Sequence, residues 1–382
     1  MKAYRITKND VGVGDPLPWN VIDREGKLLL KKGAIVTSTR VHNLLLERGL
    51  YQKETLEHVH TKSINPTKPK DLELAQGPFN PFEIIENCTF KLGRTLYNLT
   101  QNKDCSANLN LITKSIMLAC DKDPDAALGA VHLLHGHTYT TIHPIHVAAL
   151  CHAMCRVSNL SDEETHRIIS ACLVSNIGML ELQEVLHEQA GPLSQEQKDQ
   201  IAAHPDESVR ILRETGIKDE AMLELILQHH ERAHGGGYPN NLKADEIKLG
   251  AKILALADCY SAMVSPRIYR DTVDTSSALK TLFLERGKEY DEQLAVQLIK
   301  YMGIFPPGTY VKLANGEVGL VVRRTANNMA PQVSSVISIK QLPYSRPIQR
   351  DNKRKEFAIK GIVENKKKFS FSLATIWGYE TA

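Results

Sequence analysis

The chain is predicted to be mostly α-helical, a helical bundle with a small N-terminal α+β module and a C-terminal β-rich extension. Three observations predict the layered pattern. Apolar residues recur at helical spacing from Phe82 to about Tyr301, periodicity disappears between Glu57 and Pro81, and strand-like alternation replaces helical spacing after Pro306-Pro307. The implied organisation is a module over residues 1–56, a linker over 57–81, a helical domain over 82–302 and a β-rich extension over 303–382.

Within the first module, Asn20-Val21-Ile22 and Leu28-Leu29-Leu30 have the apolar runs of strands, separated by the turn Asp23-Arg24-Glu25-Gly26. A helix follows. Thr37 or Ser38 can cap it, Val41, Leu44 and Leu45 form its apolar stripe, and Gly49 stops it. Pro66, Pro69, Pro78 and Pro81 then accumulate among polar residues, as expected of a linker.

Helical spacing begins with 82–99 and 109–120. Ser161 with Glu164, and Ser194 with Gln197, have the spacing of capping boxes, in which the Ser hydroxyl and the acidic or amide side chain each satisfy one orphaned backbone donor. The first box opens a helix over 162–174. Beyond the Pro pair, Tyr310 to Leu313 and Val318 to Val322 flank the turn Ala314-Asn315-Gly316, the pattern of a hairpin.

Composition excludes several classes. Of 382 residues, 42% are hydrophobic and 24% charged, enough apolar material for a real core and too little bias for disorder. Lys plus Arg outnumber Asp plus Glu by only 47 to 44, so charge gives no general footprint for DNA. Seven cysteines without a CxxC pair suit reduced thiols. With no apolar leader after MKAYRITKND and no run of ~18 uncharged apolar residues, a cytoplasmic protein without a membrane span is expected.

The string HHERAHGGGYP, His229 to Pro239, resembles the HHExxDGxGYP signature of the HD-GYP family. In the family's order, His143 stands in YTTIHPIHVA, His204 in IAAHPDES and Asp258 in ILALADCYSAMVSPRIYR. The resemblance runs from about Asp123 to Gly319, and GIFPPGTYVKLANGEVGLVV is similar to the family's usual C-terminal end. It implies an HD-superfamily helical bundle and a metal-dependent phosphodiesterase of bacterial cyclic-di-GMP signalling. Such hydrolases place two divalent metals roughly 3.5 to 4 Å apart, neutralising the phosphodiester and acidifying the attacking water. Carried over by position, one metal would lie on His143, the family's His-Asp pair and Asp258. The other would lie on His204, His229 and His230, with the Asp of the pair bridging both.

At that pair this chain departs from the family. Its LLHDIGK segment aligns with Leu173 to Met179, so Ser175 replaces the His, Asn176 the bridging Asp and Met179 the Lys. An amide carries no charge and ligates divalent ions weakly, so Asn176 cannot hold two cations together. His234 also replaces the Asp of DGxGYP. What remains is a three-imidazole set on which at most one iron, manganese or zinc ion is expected, or none. Arg232, Arg267 and Arg270 are candidate phosphate contacts because guanidinium matches phosphate oxygens, and Tyr238 could line the same pocket.

Plainer readings account for other polar residues. Ser175 and Asn176 can fill space and cap the following turn. His132, His135, His137 and His146 suit a half-exposed helix and loop, Cys151 and Cys155 suit core packing, and Lys366 to Lys368 suit a solvated turn. Three functions follow as expectations: a degenerate domain that binds cyclic-di-GMP or a related nucleotide with little or no hydrolysis, a one-metal phosphodiesterase, or a platform for a diguanylate cyclase or regulator protein.

Overall fold

The structure is a computed structural model, and it describes residues 3–7, 10–26, 28–37, 39–52, 79–266, 273–327, 329–363 and 372–379. Most of the linker, the alternative cap Ser38, and the run Lys366 to Lys368 lie outside these residues.

The N-terminal module consists of β1 (Ala3–Arg5), β2 (Val21–Ile22), β3 (Leu28–Leu30), α1 (Thr39–Arg48) and β4 (Leu50–Gln52). Its antiparallel sheet has the order β1-β4-β2-β3. The two strands and the helix read from the sequence are present, while β1 and β4 pair only because the fold brings the segments before and after α1 together. Val21, Leu30, Val36, Val41 and Leu45 form its core, and Trp19 stacks on Tyr51 at 3.9 Å.

Helices then follow: α2 (Pro81–Thr100), α3 (Ser106–Lys122), α4 (Pro124–Leu133), α5 (Tyr139–Val157), α6 (Asp162–Val174), α7 (Leu180–Glu188), α8 (Gln195–Glu214), α9 (Glu220–Gln228), α10 (Leu249–Val264), α11 (Thr275–Glu285) and α12 (Glu292–Met302). Asn80 caps α2 by accepting from the amides of Phe82 and Glu83, and Pro81 sits at the first turn, where its missing donor costs nothing. Both predicted capping boxes, at Ser161 and Ser194, are formed. Helix α5 is buried on all sides from Thr140 to Cys155 and packs against α2, α3, α4, α6, α10 and α12, so it is the axis of the domain.

By length and composition alone the run Asp162–His187 could cross a membrane, but it comprises α6, the 3₁₀ turn Ile177–Met179 and α7, and 67% of its most apolar window is buried in the protein. All seven cysteines are free thiols.

The C-terminal extension forms β5 (Tyr310–Leu313), β6 (Val318–Arg323), β7 (Gln332–Ile337), β8 (Pro343–Arg350), β9 (Ile359–Ile362) and α13 (Leu373–Trp377), with sheet order β8-β7-β6-β5-β9. One face joins the helical core through Val318, Leu320, Val322, Val336 and Ile337. A charged joint reinforces this contact. Asp123, the cap of α4, accepts a bidentate pair from Arg323 at 2.6 and 2.8 Å and a further bond from the Tyr379 hydroxyl. Trp377 lies edge-on to Phe82 at 5.1 Å and covers Gly129 so closely that a Cβ there would collide with the indole. Trp377→Ala is expected to cost about 3–5 kcal/mol of stability, read as a lowered thermal midpoint of the full chain.

Candidate metal centre

One helix and one turn deliver the three imidazoles. His204 lies in the middle of α8, while His229 and His230 follow the last turn of α9. His204 Nδ1–H donates to the Ile201 carbonyl at 2.6 Å, and His229 Nδ1–H donates to the Ile226 carbonyl. A carbonyl can only accept, so the proton of each neutral ring is on Nδ1 and each Nε2 presents a lone pair. Those two Nε2 atoms face each other at 3.3 Å.

Two buried lone pairs at that distance repel unless a cation lies between them. A proton is a poor candidate: burial and repulsion from His229 push His204 down to about 3. Burial likewise lowers His229, and burial with the charges of His229 and His204 sets His230 well below the usual range. A metal ion fits better. One ligand atom from each of His204, His229 and His230 lies within 4.8 Å of the others, and two imidazole nitrogens on one tetrahedral ion at roughly 2.0–2.1 Å would stand about 3.3 Å apart.

Asp258 of α10 supplies the negative charge. His143 Nε2 lies 2.8 Å from its Oδ1, and the other ring nitrogen of His143 meets Ser261 Oγ at 3.1 Å. Burial opposes the carboxylate, yet the bond and charge of His143, with His230 and His229, hold it well below the ordinary range. Thus His143 and Asp258 of the sequence-predicted first position are together, but they satisfy each other.

Of the other residues at that position, Ser175 is engaged elsewhere. Ser175 Oγ donates to the Cys172 carbonyl at 3.2 Å, and its own carbonyl accepts from Ser208 Oγ at 2.7 Å. Ser208 in turn accepts from the Gly178 amide at 2.9 Å. A Cβ at Gly178 would stand 2.7 Å from the His204 carbonyl, so glycine lets this segment lie directly on α8. Asn176 is buried, with Oδ1 lacking a hydrogen-bond partner. The amide nitrogen of Met179 bonds to the Asn176 carbonyl and its side chain is half-buried, so no cation stands there. This donor set fits a second divalent ion poorly.

The signature turn is held by a residue that residue-type reasoning passed over. Glu231 is buried and accepts from the amides of Asn240 at 2.7 Å and Leu242 at 2.9 Å, closing the loop that carries Tyr238. Its place inside the HHE string was the available signal. Gly237 approaches Glu231 and Arg232 too closely for any side chain. Tyr238 stacks on His230 at 4.8 Å, and burial with the charge of Asp258 raises its hydroxyl. His234, by contrast, is exposed and bonds to the Lys288 carbonyl at 2.8 Å.

Of the three candidate phosphate contacts, Arg267 and Arg270 lie outside the described residues. Arg232 is paired with Glu289 at 3.2 Å and lies 5.5 Å over the Tyr290 ring, so an incoming phosphate must compete for it. The neighbouring histidines correct another expectation. His137 and His146 are fully buried rather than half-exposed, and His132 bridges the Pro307 carbonyl and the Tyr260 hydroxyl.

Comparison with known proteins adds ancestry to this geometry. Residues 117–294 match the HD domain family. A cyclic di-GMP phosphodiesterase of Pseudomonas aeruginosa is 27% identical over 61% of this chain and 56% of its own length. A cyclic di-GMP phosphodiesterase response regulator of Xanthomonas campestris is 30% identical over 41% of this chain and 40% of its own. A 3'3'-cGAMP-specific phosphodiesterase of Vibrio cholerae is 25% identical over 44% and 32%. The matches therefore span between about a third and just over half of these relatives.

Two outcomes are expected. His204, His229 and His230 bind protons less readily folded than unfolded, so with chelator present stability should fall as pH drops below about 6.5. The slope should approach ~1.4 kcal/mol per pH unit for each histidine, and His204→Gln should make denaturant-unfolding curves less pH-dependent. Glu231→Ala, which orphans two loop amides, should cost about 2–4 kcal/mol and weaken Mn²⁺ binding in a competition assay.

Proposed function

We propose that this chain, whose helical region matches the HD domain family and is similar to cyclic di-GMP phosphodiesterases, is a degenerate HD-GYP protein that binds cyclic-di-GMP or a related cyclic dinucleotide while hydrolysing little or none. One observation carries the reading: Asn176 stands where the family's resemblance puts a carboxylate bridging two metals. Its amide is neutral, the adjacent Ser175 hydroxyl is turned to the Cys172 carbonyl, and Met179 offers no positive charge. A paired-ion centre has too few anionic donors to assemble.

Recognition needs less than hydrolysis does. His204, His229 and His230 would hold one iron, manganese or zinc ion, which when bound supplies a Lewis-acidic charge for a phosphate oxygen. Arg232 adds guanidinium charge at the pocket edge, and Tyr238 offers an aromatic wall already stacked on His230. Asp258 and His143 keep each other in place behind the imidazoles. Arg267 and Arg270 are retained as phosphate contacts on sequence grounds. A cytoplasmic setting and signalling through a diguanylate cyclase or regulator protein accompany this reading.

A second reading, a one-metal phosphodiesterase, is favoured by the opposed Nε2 atoms of His204 and His229, which suit an ion with an open position. Purified protein loaded with Mn²⁺ or Fe²⁺ under reducing conditions separates the two. Calorimetric binding of cyclic-di-GMP without turnover is expected, with about one ion per chain. Turnover abolished by His229→Ala would establish the second reading instead. Combined Ser175→His, Asn176→Asp and Met179→Lys is expected to raise hydrolysis above the unsubstituted protein's level.

A further inference from the structure

Helix α7 begins directly after Met179, so it is continuous with the altered segment, and it touches two other parts of the protein at once. Glu184 is buried, and its Oε1 accepts from Thr37 Oγ1 at 2.7 Å and from Thr140 Oγ1 at 3.2 Å. Thr37 belongs to the N-terminal module, immediately before α1. Thr140 belongs to the central helix α5, one residue after Tyr139.

Three residues further along the same face of α7, His187 stacks on Tyr139 at 4.6 Å with an interplanar angle of 17°. Tyr139 stacks in turn on His143 at 4.7 Å and 15°. His143 is the residue that holds Asp258. A single turn of α7 therefore grips α5 at consecutive residues, one by a carboxylate and one by a ring, immediately beside the pocket. The N-terminal module reaches that turn through the Thr37 hydroxyl and through α1, which packs against α7.

We propose that Glu184 is a positioning residue that couples docking of the N-terminal module to the pocket, holding α5 at Tyr139–His143 and the segment Ser175–Met179 in their receptive arrangement. Each donor to a buried carboxylate contributes a charge-assisted bond, so losing one loosens the hold of α7 on the elements it joins. The functional consequence for nucleotide affinity rests on the reading of the preceding subsection, whereas the structural coupling does not.

A comparison within the same interface tests the coupling. Lys31 also docks the module, through an ion pair with Glu86 of α2, and makes no use of α7. Full-length Thr37→Val, Thr37→Ser, Glu184→Ala and Lys31→Met would be compared by hydrogen exchange and by calorimetry with cyclic-di-GMP in the presence of Mn²⁺. Thr37→Val and Glu184→Ala should speed exchange in peptides covering 139–143 and 175–179 and weaken nucleotide binding roughly threefold or more. Thr37→Ser should restore both, and Lys31→Met should leave both unchanged. Unchanged exchange in Thr37→Val and Glu184→Ala, or an equal change in Lys31→Met, overturns the proposal. Should the unsubstituted protein bind no cyclic-di-GMP, the nucleotide reading fails and the exchange pattern alone decides the coupling.

Discussion

Two imidazole lone pairs, on His204 and His229, meet across 3.3 Å in a buried space. Their protons are committed to the Ile201 and Ile226 carbonyls three residues back, so neither ring can relieve the contact by changing tautomer without breaking a buried backbone bond. This constraint organises the surroundings. The carboxylate of Asp258 adds negative charge nearby and so favours a cation at this contact, His143, itself held by Ser261, fixes Asp258, and Glu231 closes the turn that presses Tyr238 onto His230.

Beside these imidazoles, small neutral side chains stand where the family resemblance expects charged ligands. Ser175 and Asn176 are buried, Gly178 still lies on α8, and Ser208 ties the two together. Replacing charged ligands by small neutral groups removes the desolvation cost of unpaired charge, so the segment can pack tightly with no metal beside it.

Two units join this domain by different physical means. The β extension is joined by apolar strands and by Asp123, buried beneath Arg323 and Tyr379. The N-terminal module has its own small core, against which Phe90 of α2 packs, and adds discrete polar contacts, among them Lys31 with Glu86 and Thr37 with Glu184. Contacts of the second kind are few and directional, which suits them to transmit a displacement rather than merely to bear load.

Local patterns were enough to reveal a good part of this protein. The capping boxes at Ser161 and Ser194, the stripe of α2, the stop at Gly49 and the string from His229 to Pro239 depend on neighbours in sequence, and each stands where it was read. The neutral Asn176 was equally legible, because charge is a property of the residue itself. Tertiary structure alone decided the rest: the pairing of β1 with β4, the burial of His137 and His146, the engagement of Arg232 by Glu289, and the convergence of Thr37, Glu184 and Thr140. Each of these joins residues distant in the chain, and the direction of a lone pair or a hydroxyl is set by packing around it, which no periodicity along one dimension encodes.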